Sequence, residues 1–71
     1  MNETFQLRND YIALCDLLKT CSVCESGGAA KHFIAEGNVK VDGQVELRKT
    51  CKIRPSQTVS GEGFVIRVTA A

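Results

Sequence analysis

Tryptophan is missing from this 71-residue chain, proline, histidine and tyrosine occur once each, and the formal net charge is only +1. No apolar run approaches the roughly 18 residues a membrane-spanning helix needs. Met1 to Leu7 carries Glu3 and no apolar stretch follows it, so a secretory leader is not expected either. The expected compartment is the cytoplasm, where Cys15, Cys21, Cys24 and Cys51 are expected as free thiols. Nine Lys and Arg against eight Asp and Glu argue, at face value, against a nucleic-acid binder. The length allows one domain over residues 1–71, with a small core and no room for a separate cofactor domain.

The usual marks of catalysis are also missing. No pair of carboxylates stands out for acid and base work, and Ser22, Ser26, Ser56 and Ser60 lack the surroundings of a nucleophile. His32 has no acidic partner evident from spacing. Ser26-Gly27-Gly28 lacks the Gly-Lys-Ser/Thr ending of a nucleotide-binding loop. Cys21-Ser22-Val23-Cys24 has redox spacing, but not the strand-helix context that a thioredoxin-like site requires. The four sulfurs lie six, three and twenty-seven residues apart, without the two close pairs of a structural zinc site. No enzyme activity, metal or cofactor is expected, and binding becomes the favoured class.

The periodicities outline an α+β domain. Thr4 to Leu7 alternates as a short strand. Asn9 or Asp10 is then expected to cap a helix over Tyr11 to Thr20, with Tyr11, Leu14 and Leu18 on its apolar stripe. Ser26, Gly27 or Gly28 starts a second helix, over Ala29 to Glu36, which Gly37 stops. After Asn38 the period falls to two. Val39-Lys40-Val41 and Val45-Glu46-Leu47 flank Asp42-Gly43, the signal for a two-residue hairpin, with Val39, Val41, Val45 and Leu47 expected inward. Phe64 to Val68 is the most apolar strand and is expected near the centre of the sheet.

Charge is unevenly distributed along this layout. Residues 1–30 carry −2, residues 31–54 carry +3, and residues 55–71 cancel. Arg48-Lys49-Thr50-Cys51-Lys52-Ile53-Arg54 places four bases in seven residues with no acid, a pattern suited to several phosphates. Lys31 and Lys40 could join it on one surface, and the glycines at Ser26-Gly27-Gly28 could let a phosphate approach the helix entrance. Phe5, Phe33, Phe64 and Tyr11 all fall in apolar patterns and are assigned to the core, so base stacking is not expected. A protein-interaction module docking on an acidic partner is the competing reading.

Ser26-Gly27-Gly28-Ala29-Ala30-Lys31, followed by Ile34-Ala35-Glu36-Gly37-Asn38-Val39-Lys40-Val41-Asp42-Gly43, resembles the S4-like RNA-binding fold. Glu46, Arg48, Lys49, Cys51 and Lys52, with the short first strand, look like its compact bacterial YbcJ-type branch. The resemblance covers roughly residues 4–69. It implies the αL motif, two short packed helices against a small, mainly antiparallel sheet with a hairpin. It further implies non-catalytic contact with structured RNA, ribosomal or transfer RNA among the family's targets; separately, a monomer is expected. Lys31, Lys40, Arg48, Lys49, Lys52 and Arg54 are then the candidate RNA contacts, with Ser26, Gly27 and Gly28 shaping the helix entrance. Gly27 or Gly28 stands where broader family members often carry arginine, and Ser56-Gln57 replaces the usual Gly-Asp turn.

Overall fold

Phe64-Val65-Ile66-Arg67-Val68-Thr69 alternates buried and more exposed side chains, and the other long strands flank it. The computed structural model describes residues 1–71. In chain order the elements are β1 (Asn2–Gln6), β2 (Ile12–Ala13), α1 (Leu14–Thr20), α2 (Gly27–Ala35), β3 (Lys40–Val41), β4 (Gln44–Val45), β5 (Lys52–Ile53), β6 (Thr58–Gly61) and β7 (Phe64–Thr69). One sheet has the order β1-β7-β6-β3-β4, with β1 parallel to β7 and the other neighbours antiparallel. A second, two-stranded sheet joins β2 to β5. The two helices pack on each other and share one core with the sheet, built on Leu14, Leu17, Leu18, Ala30, Ile34, Val39, Ile53, Val59 and Ile66. The expected α+β arrangement is therefore present. No helix is long and apolar enough to cross a membrane.

The first helix begins later than its periodicity suggests. Tyr11 lies outside any helix, Ile12 and Ala13 form β2, Ala13 is the N-cap, and no side chain caps α1; Asn9 and Asp10 do not serve. The reason lies across the chain. Ile12 pairs with Ile53 and Ala13 with Lys52, and the amides of Leu14 and Cys15 donate to the carbonyls of Cys51 and Lys49 at 2.9 and 3.1 Å. Backbone from the basic segment thus satisfies amides that a capping side chain would otherwise take. Tyr11, immediately before this strand, is 42% exposed rather than buried, while Ile12 packs against the core.

Helix α1 ends in a Schellman motif. Val23 N–H donates to Leu18 O and Ser22 N–H to Lys19 O, with Ser22 left-handed at φ 63°. Helix α2 starts one residue after Ser26, whose hydroxyl accepts from the Ala29 amide at 3.1 Å, and it stops before Gly37.

Asp42 and Gly43 both take positive φ, as a type I′ turn requires. The resulting register corrects one expectation about the hairpin. Val41 pairs with Gln44 and Lys40 with Val45, so Val45 shares the outer side with Lys40 while Glu46 follows Val39. Val45 and Leu47 are accordingly 55% and 57% exposed, whereas Val39 and Val41 are buried. Gly61, on β6, is fixed by space: a Cβ there would lie 2.6 Å from the Asn38 carbonyl oxygen and 2.5 Å from Phe64 Cε1.

Candidate nucleic-acid interface

The β4–β5 connection, residues 46–51, is held against the start of α1. Besides the two carbonyls that receive the Leu14 and Cys15 amides, Cys51 N–H donates back to Arg48 O at 3.2 Å. These bonds fix the backbone while the side chains of Arg48, Lys49, Lys52 and Arg54 remain exposed. On β5 alternation buries Ile53 and sends Lys52 and Arg54 outward together. Arg48 and Lys52, with Thr50 and Cys51, line one shallow groove of about 400 Å³.

The six candidate bases are not equivalent. Arg48 is gripped by Glu46, which accepts from Nε at 2.9 Å, from Nη2 at 3.1 Å and from the Arg48 amide at 3.0 Å. These bonds hold the Glu46 carboxyl down at about 2 and raise the Arg48 guanidinium further. Lys31, Lys40, Lys49, Lys52 and Arg54 form no ion pair. Lys40 stands on the outer face of the five-stranded sheet, in a hollow with Asn38, Ser60 and Glu62. Lys31 is exposed on α2. No hydrogen bond, ion pair or shared cavity links Lys31 or Lys40 to the Arg48–Arg54 segment.

At the entrance of α2, Ser26 serves as a helix cap, and the Gly27 and Gly28 amides have no acceptor within the protein. The space beside Gly27 is open, and a Cβ at Gly28 would meet only the Ser26 hydroxyl at 3.9 Å. Close packing therefore does not demand glycine at either position.

Tyr11 is the residue that the helical reading of the sequence misplaces. Continuing the β2–β5 register by one residue sets it opposite Arg54, and its ring lies under both neighbouring cations. Lys52 Nζ is 5.0 Å and Arg54 Cζ 5.7 Å from the ring centroid. The sequence does hold a signal for this: Asn9-Asp10 can punctuate a turn as well as cap a helix, and Tyr11-Ile12-Ala13 fits a strand as readily as a helix.

The sulfur and imidazole groups have other settings. Burial pushes the Cys21 thiol up, with the negative charge of Glu3 adding to it, and burial also raises Cys24. Burial and the Glu46 carboxylate raise Cys51. These shifts oppose the thiolate character that a redox nucleophile needs. All four cysteines are free, and no three His, Cys, Asp or Glu side chains converge as a metal site. His32 does have an acidic neighbour: Glu36, one helical turn on, lies 3.4 Å from Nε2, with both side chains exposed.

Comparison with known proteins gives a consistent family. The chain is 54% identical over 68 residues to YbcJ of Escherichia coli, which carries a provisional name as an RNA-binding protein; the match covers 94% of this chain and 97% of that one. It is 33% identical over 64 residues to RlbA of Bacillus subtilis, provisionally named a ribosome maturation protein, with 90% of each chain covered. The solution structure of E. coli YbcJ, described as containing an αL motif involved in RNA binding, matches with a TM-score of 0.73 over 94% of this chain and 86% of that one. The S4 domain family model matches residues 5–69, and the chain belongs to the S4 domain family.

Proposed function

We propose that this chain is a non-catalytic RNA-binding protein that contacts structured RNA through the β4–β5 segment and β5. The observation carrying this reading is the fixed presentation of Lys49, Lys52 and Arg54: α1 and β2 hold the backbone at Lys49 and Lys52, Gln57 holds it at Arg54, and no acid neutralises them. A row of cations on anchored backbone, paired with no acid, suits phosphates, and it supplies the counterion release that drives such binding. Lys31, Lys40 and the amides of Gly27 and Gly28 extend the contact where the RNA is large enough to reach them. Arg48, already bound by Glu46, contributes less than its sequence position suggests.

The names of the E. coli and B. subtilis relatives support RNA as the partner and ribosomal RNA as its class. The protein acts as a monomer in the cytoplasm. The test is a salt titration of binding to a structured ribosomal RNA fragment and to duplex DNA, paired with capture from lysate after nuclease treatment. Salt-sensitive RNA binding supports the proposal. Capture of an acidic protein that survives nuclease, with no RNA binding, supports a protein-docking module instead.

A further inference from the structure

The exposed ring of Tyr11 has no packing role of the kind that explains Phe64, which is 5% exposed in the core. It stands at the margin of the basic segment, under Lys52 Nζ and Arg54 Cζ, and a cavity of about 340 Å³ opens beside it. Phe5, Arg8, Asn9, Ile12 and Thr20 share that cavity's wall, so it combines apolar surface, a further cation and an amide. A second hollow, between Asn9, Ile12, Ala13 and Asp16, meets the same side chain. Tyr11 is thus bordered by open space as well as by cations.

An aromatic ring accepts any base on its face, whereas phosphates flanking that base require positive charge within reach. Lys52 and Arg54 meet the second requirement while covering the ring in the free protein. Lysine's flexible four-carbon stem can move its ammonium from the ring to a phosphate, and the planar guanidinium of arginine can remain stacked. A paired base inside a duplex exposes no free face, so the matching ligand is an unpaired nucleotide. We infer that Tyr11, Lys52 and Arg54 form a stacking site for an unpaired base adjoining the bound RNA structure. This inference rests on the RNA-binding reading and adds to it a specific nucleotide site.

The test uses the full chain and two RNAs: a blunt duplex, and the same duplex with a short single-stranded adenosine overhang. Loss of one base stack corresponds to about 5- to 150-fold in affinity. Tyr11→Ala is expected to lose that factor on the overhang RNA and to bind the blunt duplex within about twofold of wild type. Tyr11→Phe, which keeps the ring, is expected to restore overhang binding. Because the chain has no tryptophan, Tyr11→Trp provides a single indole, whose emission is expected to be quenched by the overhang RNA and not by the blunt duplex. Equal losses on both RNAs, or no loss with an intact circular dichroism spectrum, overturn the stacking site alone. Failure of the wild type to bind either RNA overturns the RNA-binding reading and the stacking site together.

Discussion

Glu46 holds the Arg48 guanidinium on two nitrogens, Oε2 to Nε at 2.9 Å and Oε1 to Nη2 at 3.1 Å, inside the most basic stretch of the chain. One cation of the segment is thereby matched by an acid that precedes the cluster in sequence. Glu46 reaches it locally, from two residues earlier in the chain, and its carboxylate also accepts from the Arg48 amide at 3.0 Å.

Removing the acid should release the base. Glu46→Gln is expected to strengthen RNA binding and to raise the salt slope by up to about one phosphate contact. Arg48→Ala is expected to weaken binding less than Lys49→Ala or Lys52→Ala does. Affinities measured across a salt series check both, and an Arg48→Ala loss larger than either lysine loss would contradict the order.

The same carboxylate sets an acid dependence. Its value lies near 2, below the ordinary 4.5 expected for the unfolded chain. A depressed carboxylate stabilises the folded state above the unfolded value, and that contribution disappears as pH falls through the folded value. The Glu46 share of stability is therefore fully present above about pH 4.5 and is lost between there and about pH 2. Acid unfolding followed by circular dichroism should show a shallower decline over that window in Glu46→Gln than in wild type.

Two serines occupy left-handed backbone, Ser22 at φ 63° and Ser56 at φ 76°. The left-handed conformation costs a residue with a Cβ about 1–2 kcal/mol. Glycine avoids that cost and returns part of it through greater freedom in the unfolded chain. Ser22→Gly and Ser56→Gly are each expected to stabilise by up to about 1 kcal/mol, raising Tm by about 4–8 °C for that full gain. Thermal melts decide the matter. Gly61→Ala should act oppositely, destabilising by about 1–3 kcal/mol, because its Cβ would meet Asn38 O and Phe64.

Much of the architecture is legible in the residues, and its two principal misreadings share a cause. Asp42-Gly43 specifies the hairpin because both residues tolerate positive φ, and Ser26 marks α2 through its capping oxygen. These are local signals. Tyr11 is different: Tyr11, Leu14 and Leu18 fit a helical stripe, but Ile12 and Ala13 are claimed by Lys52–Ile53 some forty residues later. Val45 and Leu47 likewise alternate correctly within their own strand. Which side that alternation faces depends on pairing, since across a two-residue turn 41 meets 44 and 40 meets 45. The positions of the bases are legible, and the acid that neutralises Arg48 stands only two residues before it, while the presentation of Tyr11 depends on pairing with a distant strand.

Hairpin register has its own test in stability. Val45→Thr, on the exposed side, is expected to change stability by no more than about 0.5 kcal/mol. Val39→Ala, at a fully buried position, should cost about 2 kcal/mol. Urea unfolding of the two variants distinguishes this register from one with Val45 inward, in which both substitutions would be costly.

RNA contact by Lys49, Lys52 and Arg54 is the core of the proposed function. Its most direct measurement is the dependence of binding affinity on salt for a structured ribosomal RNA fragment, comparing wild type with the triple variant Lys49→Ala, Lys52→Ala, Arg54→Ala. The expected result is weaker binding and a salt slope reduced by up to about three phosphate contacts, with the circular dichroism spectrum unchanged. Wild-type affinity and slope in the folded triple variant would contradict it.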